Sequence, residues 1–302
     1  MTGEMRNAAA VGMFDGVHRG HLDILATVDR RARSLGGHPV ILSFAQHPVS
    51  LLRPAEAPRL LTLAAEKEAL IHRFLPGAEV HMLDFGAMRR ESARDFLAGL
   101  RDRLGVGVMV MGYDNRFGCD GPRERAAYDE LGRELGVCVV HVPPLVAGSD
   151  TVSSTAVRRL VCAGDVSGAA SLLGREYSLA GTVVSGRRLG RRLGFPTANV
   201  EVDPMKLLPA RGVYACEASV GGSVYPAMVN IGVRPTVESD TPAQISVEAH
   251  LIGMSGDIYG ERLTLLFADR LRDECRFGSL DELTRRLAAD RDATLRLLKQ
   301  KA

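Results

Sequence analysis

The change of rhythm near residue 176 constrains this chain more than any other feature. Before it, short apolar runs alternate with longer segments of helical period. Ala8–Phe14, Pro39–Phe44, Ala78–Phe85, Val106–Gly112 and Val137–Pro143 read as buried strands. Between them, His21–Leu35, Leu63–Phe74, Ser92–Leu104 and Pro122–Leu135 read as helices. Strand and helix in strict alternation give a parallel sheet with helices on both faces, because each parallel return needs a crossover. Two short helical patches follow Thr155. From Ser178 to about Phe267 the chain then becomes turn-punctuated strand with glycine-rich connections, the pattern of a small antiparallel barrel. A final helix is signalled by Ser279 and Glu282 at capping-box spacing, with Leu280, Leu283, Leu287, Leu295 and Leu298 as its apolar stripe. The fold class is therefore α/β plus β, with domains expected at 1–176 and 177–302.

Bulk properties exclude several classes of function. Net charge is +2 over 302 residues, so no global field calls for nucleic acid or an anionic membrane, and phosphate binding has to be local. The five cysteines, Cys119, Cys138, Cys162, Cys216 and Cys275, contain no C-x-x-C pair, which argues against a zinc site or a disulfide framework. There is no basic-then-apolar leader and no apolar run of membrane-spanning length, so a reducing cytoplasm is the expected home.

The segment "GMFDGVHRGH", Gly12–His21, joins the first strand to the first helix. A glycine-bearing turn there aims free backbone N–H groups, and the positive end of the helix, at an anion. His18 and His21, three apart, are able to face one site across the first helical turn. Such a site needs no nucleophile of its own. If the substrate brings a phosphate, attack on the α-phosphate of ATP requires positioning and neutralisation of the leaving pyrophosphate. An isolated H-x-x-H is more often a capped helix with two surface histidines, but its place between strand and helix favours the phosphate reading.

H-x-G-H after a first strand resembles the nucleotidylyltransferase superfamily. The fuller "GMFDGVHRGH" is similar to the FMN adenylyltransferase module of bacterial bifunctional riboflavin kinase/FAD synthetases. Leu42–Pro54 and Arg59–Ile71 resemble the family's next segments, and "VSSTAVR", Val152–Arg158, resembles its second phosphate signature. The resemblance implies a Rossmann-like domain in which His18, His21 and Arg158 are catalytic. Gly12, Phe14, Asp15, Gly16, Ser153, Ser154 and Thr155 would hold ATP. Taken alone, Ser153–Thr155 suits an ordinary N-cap equally well. One loop departs from the family: "GYDNRFG" carries Asn115 where an aromatic is usual, and "CDGPRERAAYDEL" after it lacks R-x-G-[DN]. Asn115, Arg116 and Phe117 are expected near the flavin, so the departure raises the alternative of one inactive half or a flavin analogue as substrate.

The second half resembles riboflavin kinase throughout. "GRRLGRRLGFPTANV", Gly186–Val200, places four arginines in six residues, which first suggests a nucleic-acid patch. Glycines at 186, 190 and 194 instead suit a loop that approaches a nucleotide closely, with Pro196 holding the turn after it. Thr197 and Asn199, two apart, face one side of an extended segment, and neutral oxygens of that kind suit Mg²⁺ that already carries phosphate. The resemblance assigns those two residues to Mg²⁺, Gly186, Gly190, Arg191, Gly194 and Pro196 to ATP, and Glu248 to the proton of the riboflavin 5′-hydroxyl. A solvated strand carboxylate is otherwise the commoner reading of such a glutamate. His250, Arg272 and Asp273 read as scaffold. The implied reactions use ATP, with riboflavin, FMN and FAD as substrates and products. The implied partners are small molecules, not nucleic acid or membrane, and a homo-oligomer is allowed.

Overall fold

The computed structural model describes residues 5–46, 48–53, 56–122, 124–148, 150–186, 190, 193–234 and 244–301. By contacts the chain divides into two compact units, 1–154 and 155–302. The two short helices expected to close the first half are thus grouped with the second unit.

In the first unit β1 (Asn7–Val11), β2 (Pro39–Phe44), β3 (Glu79–Leu83), β4 (Val106–Met111) and β5 (Cys138–His141) form one parallel sheet in the order β3-β2-β1-β4-β5. The expected architecture is present. The strand order reverses at β1, so the chain leaving β1 opens the crevice where ligands of such sheets bind. Helices α1 (Arg19–Leu35), α2 (Pro48–Leu52), α3 (Ala64–Phe74), α4 (Phe85–Met88), α5 (Ala93–Leu104) and α6 (Arg125–Leu135) provide the connections. Two cores flank the sheet. One gathers Val40, Leu42, Phe96, Leu97, Met109 and Phe117, the other Ile41, Leu25, Val28, Ile71 and Val110. Neighbouring residues of β2 thus serve opposite faces, as a strand's period of two requires.

One expectation is corrected here. The apolar run from Ala8 to Phe14 is not all strand, because β1 stops at Val11. Phe14 has φ 47°, Gly16 80° and Val17 39°, all left-handed. Phe14 and Val17 are nonetheless buried, at 1% and 0% exposure, so apolar burial holds them in a conformation that side chains avoid. The small hairpin β6 (Val146–Ala147) with β7 (Asp150–Thr151) ends the unit.

The second unit carries α7 (Ser154–Ala163, which starts at the unit boundary) and α8 (Val166–Leu173), and then a closed barrel. Its strands are β8 (Tyr177–Val184), β9 (Ala198–Val202), β10 (Gly212–Val220), β11 (Ser223–Arg234), β12 (Gln244–Leu251) and β13 (Arg262–Arg272). Around the barrel the order is β10-β11-β12-β9-β8-β13, and β13 pairs β10 to close it. Alternate residues of β8 (Tyr177, Leu179, Gly181, Val183) are buried, the signature of one inward face. Helix α8 packs on β8 and β13, and the terminal helix α9 (Leu280–Lys301) packs on β10, β11 and β13. At the start of α9 the Glu282 amide donates to Ser279 Oγ at 3.2 Å, while the Glu282 carboxylate accepts from Gly278 N at 3.0 Å.

Candidate active sites

The first site is built on the loop between β1 and α1. Helix α1 has no acidic residue in its first turn, so its positive end is not internally neutralised. His18 is the N-cap, and its Nδ1 accepts from the His21 amide at 3.3 Å. The two imidazoles are stacked at 3.6 Å between centroids, and the Phe14 ring meets His21 edge-on at 5.1 Å. The histidines expected to act together are thus brought together, and a buried aromatic fixes one of them.

Asp15, expected at the phosphate site, is tied to the chain beyond the loop. It is 2% exposed, and its carboxylate accepts from Leu61 N at 3.2 Å, Thr62 N at 3.0 Å and Thr62 Oγ1 at 3.2 Å. Gly16 N donates to Thr62 Oγ1 at 2.9 Å, and Ser154 Oγ donates to the Asp15 carbonyl at 2.9 Å. The acid fastens the loop to residues 61–62 through two backbone amides and one hydroxyl. Below it lies Lys67 of α3, which the sequence reading did not single out. Burial pushes this ammonium down to about 8, with the Asp15 charge opposing the shift. Glu66 of the same helix accepts from Leu63 N at 2.9 Å.

Thr155 and Arg158 lie on the first turns of α7, Thr155 exposed and Arg158 half-buried. Ser153 precedes the helix, and the Ser154 hydroxyl goes to Asp15. Asn115 donates from Nδ2 to the carbonyl of Val11, the last residue of β1. Arg116 is exposed. Phe117 belongs to the core, 4.7 Å from the Tyr128 ring and 5.2 Å from that of Phe96. The unusual Asn115 therefore has a structural partner that an aromatic side chain would not satisfy.

The second site is a product of strand register. Asn199 of β9 lies opposite Glu248 of β12, and Glu248 lies opposite Asn230 of β11. Cross-strand neighbours point to one face, so the three form a row, continued by Val213 of β10 and Arg272 of β13. A cleft of about 270 Å³ runs along this row beneath α9, lined by Glu248, Asn230, Thr197, Arg272 and the apolar Phe277, Leu283 and Leu287. A second cleft, about 290 Å³, is lined by Pro196, Thr197, Asp257 and Tyr259. Thr197 borders both, so it stands where two ligands would meet.

Glycines explain the closeness of the loop before β9. A Cβ on Gly186 would lie 1.9 Å from the Asn199 amide nitrogen, and one on Gly190 would lie 2.2 Å from the Phe195 carbonyl. Gly186 thus lies against the proposed ligand Asn199, and Gly190 against the backbone of Phe195. His250 Nδ1 donates to the Pro196 carbonyl at 2.7 Å and holds the corner before Thr197, a scaffold role in keeping with the sequence reading. Arg272 is also scaffold: its guanidinium binds the buried Asp290 of α9 at 2.8 Å, and Arg286 reaches the same carboxylate at 3.2 Å. Gly194 follows in the turn before Phe195, with φ 79°. Arg191, and with it Arg187, Arg188 and Arg192, lies outside the described residues.

Among the described residues no cluster of three His, Cys, Asp or Glu side chains could hold a metal, and no helix is long and apolar enough to cross a membrane. The oxygens of Thr197 and Asn199 are neutral and share a face with Glu248. That donor set fits Mg²⁺ arriving with phosphate and water as its other ligands.

Comparison with known proteins finds a family for each half of the chain. The FAD synthetase family model matches residues 2–156, and the riboflavin kinase family model matches residues 173–298. A bifunctional riboflavin kinase/FMN adenylyltransferase of Pseudomonas fluorescens is 38% identical over 93% of this chain and 90% of its own. The proteins of that description from Escherichia coli K12 and Bacillus subtilis are 34% and 32% identical, over 93% and 97% of this chain and 89% and 93% of theirs. A crystal structure described as a macrolide-efflux protein from Streptococcus pneumoniae superposes with TM-score 0.86 at 29% identity, covering 95% of this chain and 93% of that one. The chain belongs to the bifunctional riboflavin kinase/FMN adenylyltransferase family.

Proposed function

We propose that the chain converts riboflavin to FAD in two ATP-dependent steps, with the catalytic division at 1–176 and 177–302. In the barrel, riboflavin occupies the cleft beneath α9 and ATP the cleft on the other side of Thr197. The Glu248 carboxylate accepts the proton of the riboflavin 5′-hydroxyl as that oxygen attacks the γ-phosphorus, and ADP leaves. Thr197 and Asn199 would hold Mg²⁺, which screens the charge of the phosphate oxygens. Asn230, opposite Glu248 in register, helps orient its carboxylate.

In the first unit the phosphate of FMN attacks the α-phosphorus of a second ATP, and pyrophosphate leaves. His18 and His21 donate hydrogen bonds to the phosphate oxygens, and the unneutralised N-terminus of α1 favours the charge that builds on the leaving group. Because this chemistry is positioning and charge stabilisation, the site needs no nucleophile, and the loop provides none.

The observation that carries the reading is the register row Asn199–Glu248–Asn230 with Thr197 at the junction of two clefts. It supplies a base and metal-ligating oxygens between a nucleotide site and an acceptor site. Small molecules are the expected partners and the cytoplasm the expected location. The bond from Asn115 to Val11 supports an unaltered substrate over a flavin analogue, because it gives the departure a role in the loop itself. The deciding experiment incubates the protein with riboflavin, ATP and Mg²⁺ and separates the flavins chromatographically. FMN followed by FAD is expected; accumulation of FMN alone would leave the adenylyltransferase half without support.

A further inference from the structure

A buried polar layer underlies the loop between β1 and α1. Lys67 is 1% exposed, and its ammonium donates to the Phe44 carbonyl at 2.7 Å and to Ser43 Oγ at 3.2 Å. Ser43 Oγ donates in turn to the Met13 carbonyl at 3.2 Å. The Asp15 carboxylate is the charge that acts on Lys67 from the loop. From β2 Lys67 faces the neutral oxygens of Ser43 and Phe44, and its helical neighbour Glu66 is turned to Leu63 N at 2.9 Å. One cation thus serves two points of the loop, Met13 through Ser43 and Asp15 through space.

The electrostatic consequence concerns the ligand. A carboxylate beneath the loop is screened little by solvent, and left alone it would repel a triphosphate approaching from above. We propose that Lys67 is a positioning residue for adenylyl transfer. Its ammonium neutralises Asp15 from below and ties Ser43 to Met13, so that residues 12–18 and the positive end of α1 receive the triphosphate over a neutral floor. This rests on the adenylyltransferase reading of the first unit.

That ammonium is easily lost, because burial lowers its pKa to about 8 against the pull of Asp15. Activity and stability then respond to pH in opposite senses. The folded pKa lies below the ordinary lysine value of 10.5, so between about pH 8 and 10.5 the unfolded chain binds more protons. The contribution of this group to folding stability therefore rises with pH through that window. Over the same window Asp15 loses the Lys67 charge, and ATP binding in the first unit weakens. A lysine that served the fold alone would not separate the two.

The test follows FAD formation from supplied FMN by the full-length protein between pH 7 and 9.5, resolving KM for ATP from kcat, with thermal melts at each pH. KM for ATP is expected to rise about fivefold while kcat changes by less than about twofold. FMN formation from riboflavin, run in parallel, controls for ionisation of ATP. Lys67→Met is expected to show the raised KM already at pH 7 and no further rise. Ser43→Ala, which keeps the cation, is expected to retain the alkaline rise. A flat wild-type KM overturns the proposal, and so does a Lys67→Met enzyme with wild-type KM and pH dependence. Should Lys67→Met fail to fold, the wild-type and Ser43→Ala profiles decide: loss of the rise in Ser43→Ala, or melting temperatures that fall in step with activity, overturns the proposal. Folded protein that makes no FAD at any pH overturns the adenylyltransferase reading and this inference together, whereas FAD made with a flat KM overturns this inference alone.

Discussion

The loop of the first unit and the face of the barrel handle the same nucleotide chemistry by different structural means. The first candidate site is contiguous: eight residues separate Gly12 from His21, in a strained turn that leads into a helix N-terminus. Its stability comes from beneath, where Asp15, Thr62 and Lys67 spend buried polar atoms on holding the backbone. The second site is dispersed. Asn199, Asn230 and Glu248 come from three strands, and hydrogen-bonded register alone lines them up. Local strain needs an anchor under it; a register-built site is held by the barrel that contains it.

The two halves can be separated by single substitutions. The largest effect is expected from Glu248→Gln, which removes the proton acceptor and should lower kcat for FMN formation about 10³-fold, leaving FAD formation from supplied FMN intact. His21→Ala should do the converse, lowering FAD formation about 10²-fold with FMN formation preserved. Equal loss of both products in either folded variant would erase the division of labour. Gly186→Ala sharpens the comparison. The new methyl group has to displace the Asn199 amide, and FMN formation should fall about tenfold without an equivalent change in melting temperature. A wild-type rate there would mean that Asn199 need not stay where the loop meets it.

Smaller effects probe the supports. Asp290→Ala leaves Arg272 and Arg286 without their shared acceptor, and a buried pair broken on one side costs about 3 kcal/mol in denaturant unfolding. The wall of the riboflavin cleft should loosen with it, raising KM for riboflavin. Asn115→Phe removes one hydrogen bond to the end of β1 and should cost about 1 kcal/mol of stability. FAD formation that improved instead would show the departure to be catalytic.

Much was legible before any coordinates. The alternation of strand and helix gave the parallel sheet, helix boundaries fell within a few residues, and the H-x-G-H and P-T-A-N motifs pointed to both candidate sites. The misses have different causes. The run through Phe14 looked like strand because burial and β-structure leave the same apolar signature, yet Phe14 is buried in a left-handed turn. The hydrogen bonds of Asp15 were hidden for another reason, since its partners Leu61 and Thr62 lie some forty-six residues away. Nothing near Lys67 announced that its ammonium would be buried, since a lysine on an amphipathic helix ordinarily reaches solvent.

By itself the sequence determined the elements and the local chemistry, because periodicity, capping and glycine spacing act between residues a few positions apart. Tertiary structure alone decided which distant residues face Glu248, what Gly186 and Gly190 lie against, and that a buried cation lies near the loop between β1 and α1. Those outcomes depend on strand register and on what packs beneath a turn, and both are fixed only when residues far apart in the chain compete for the same space.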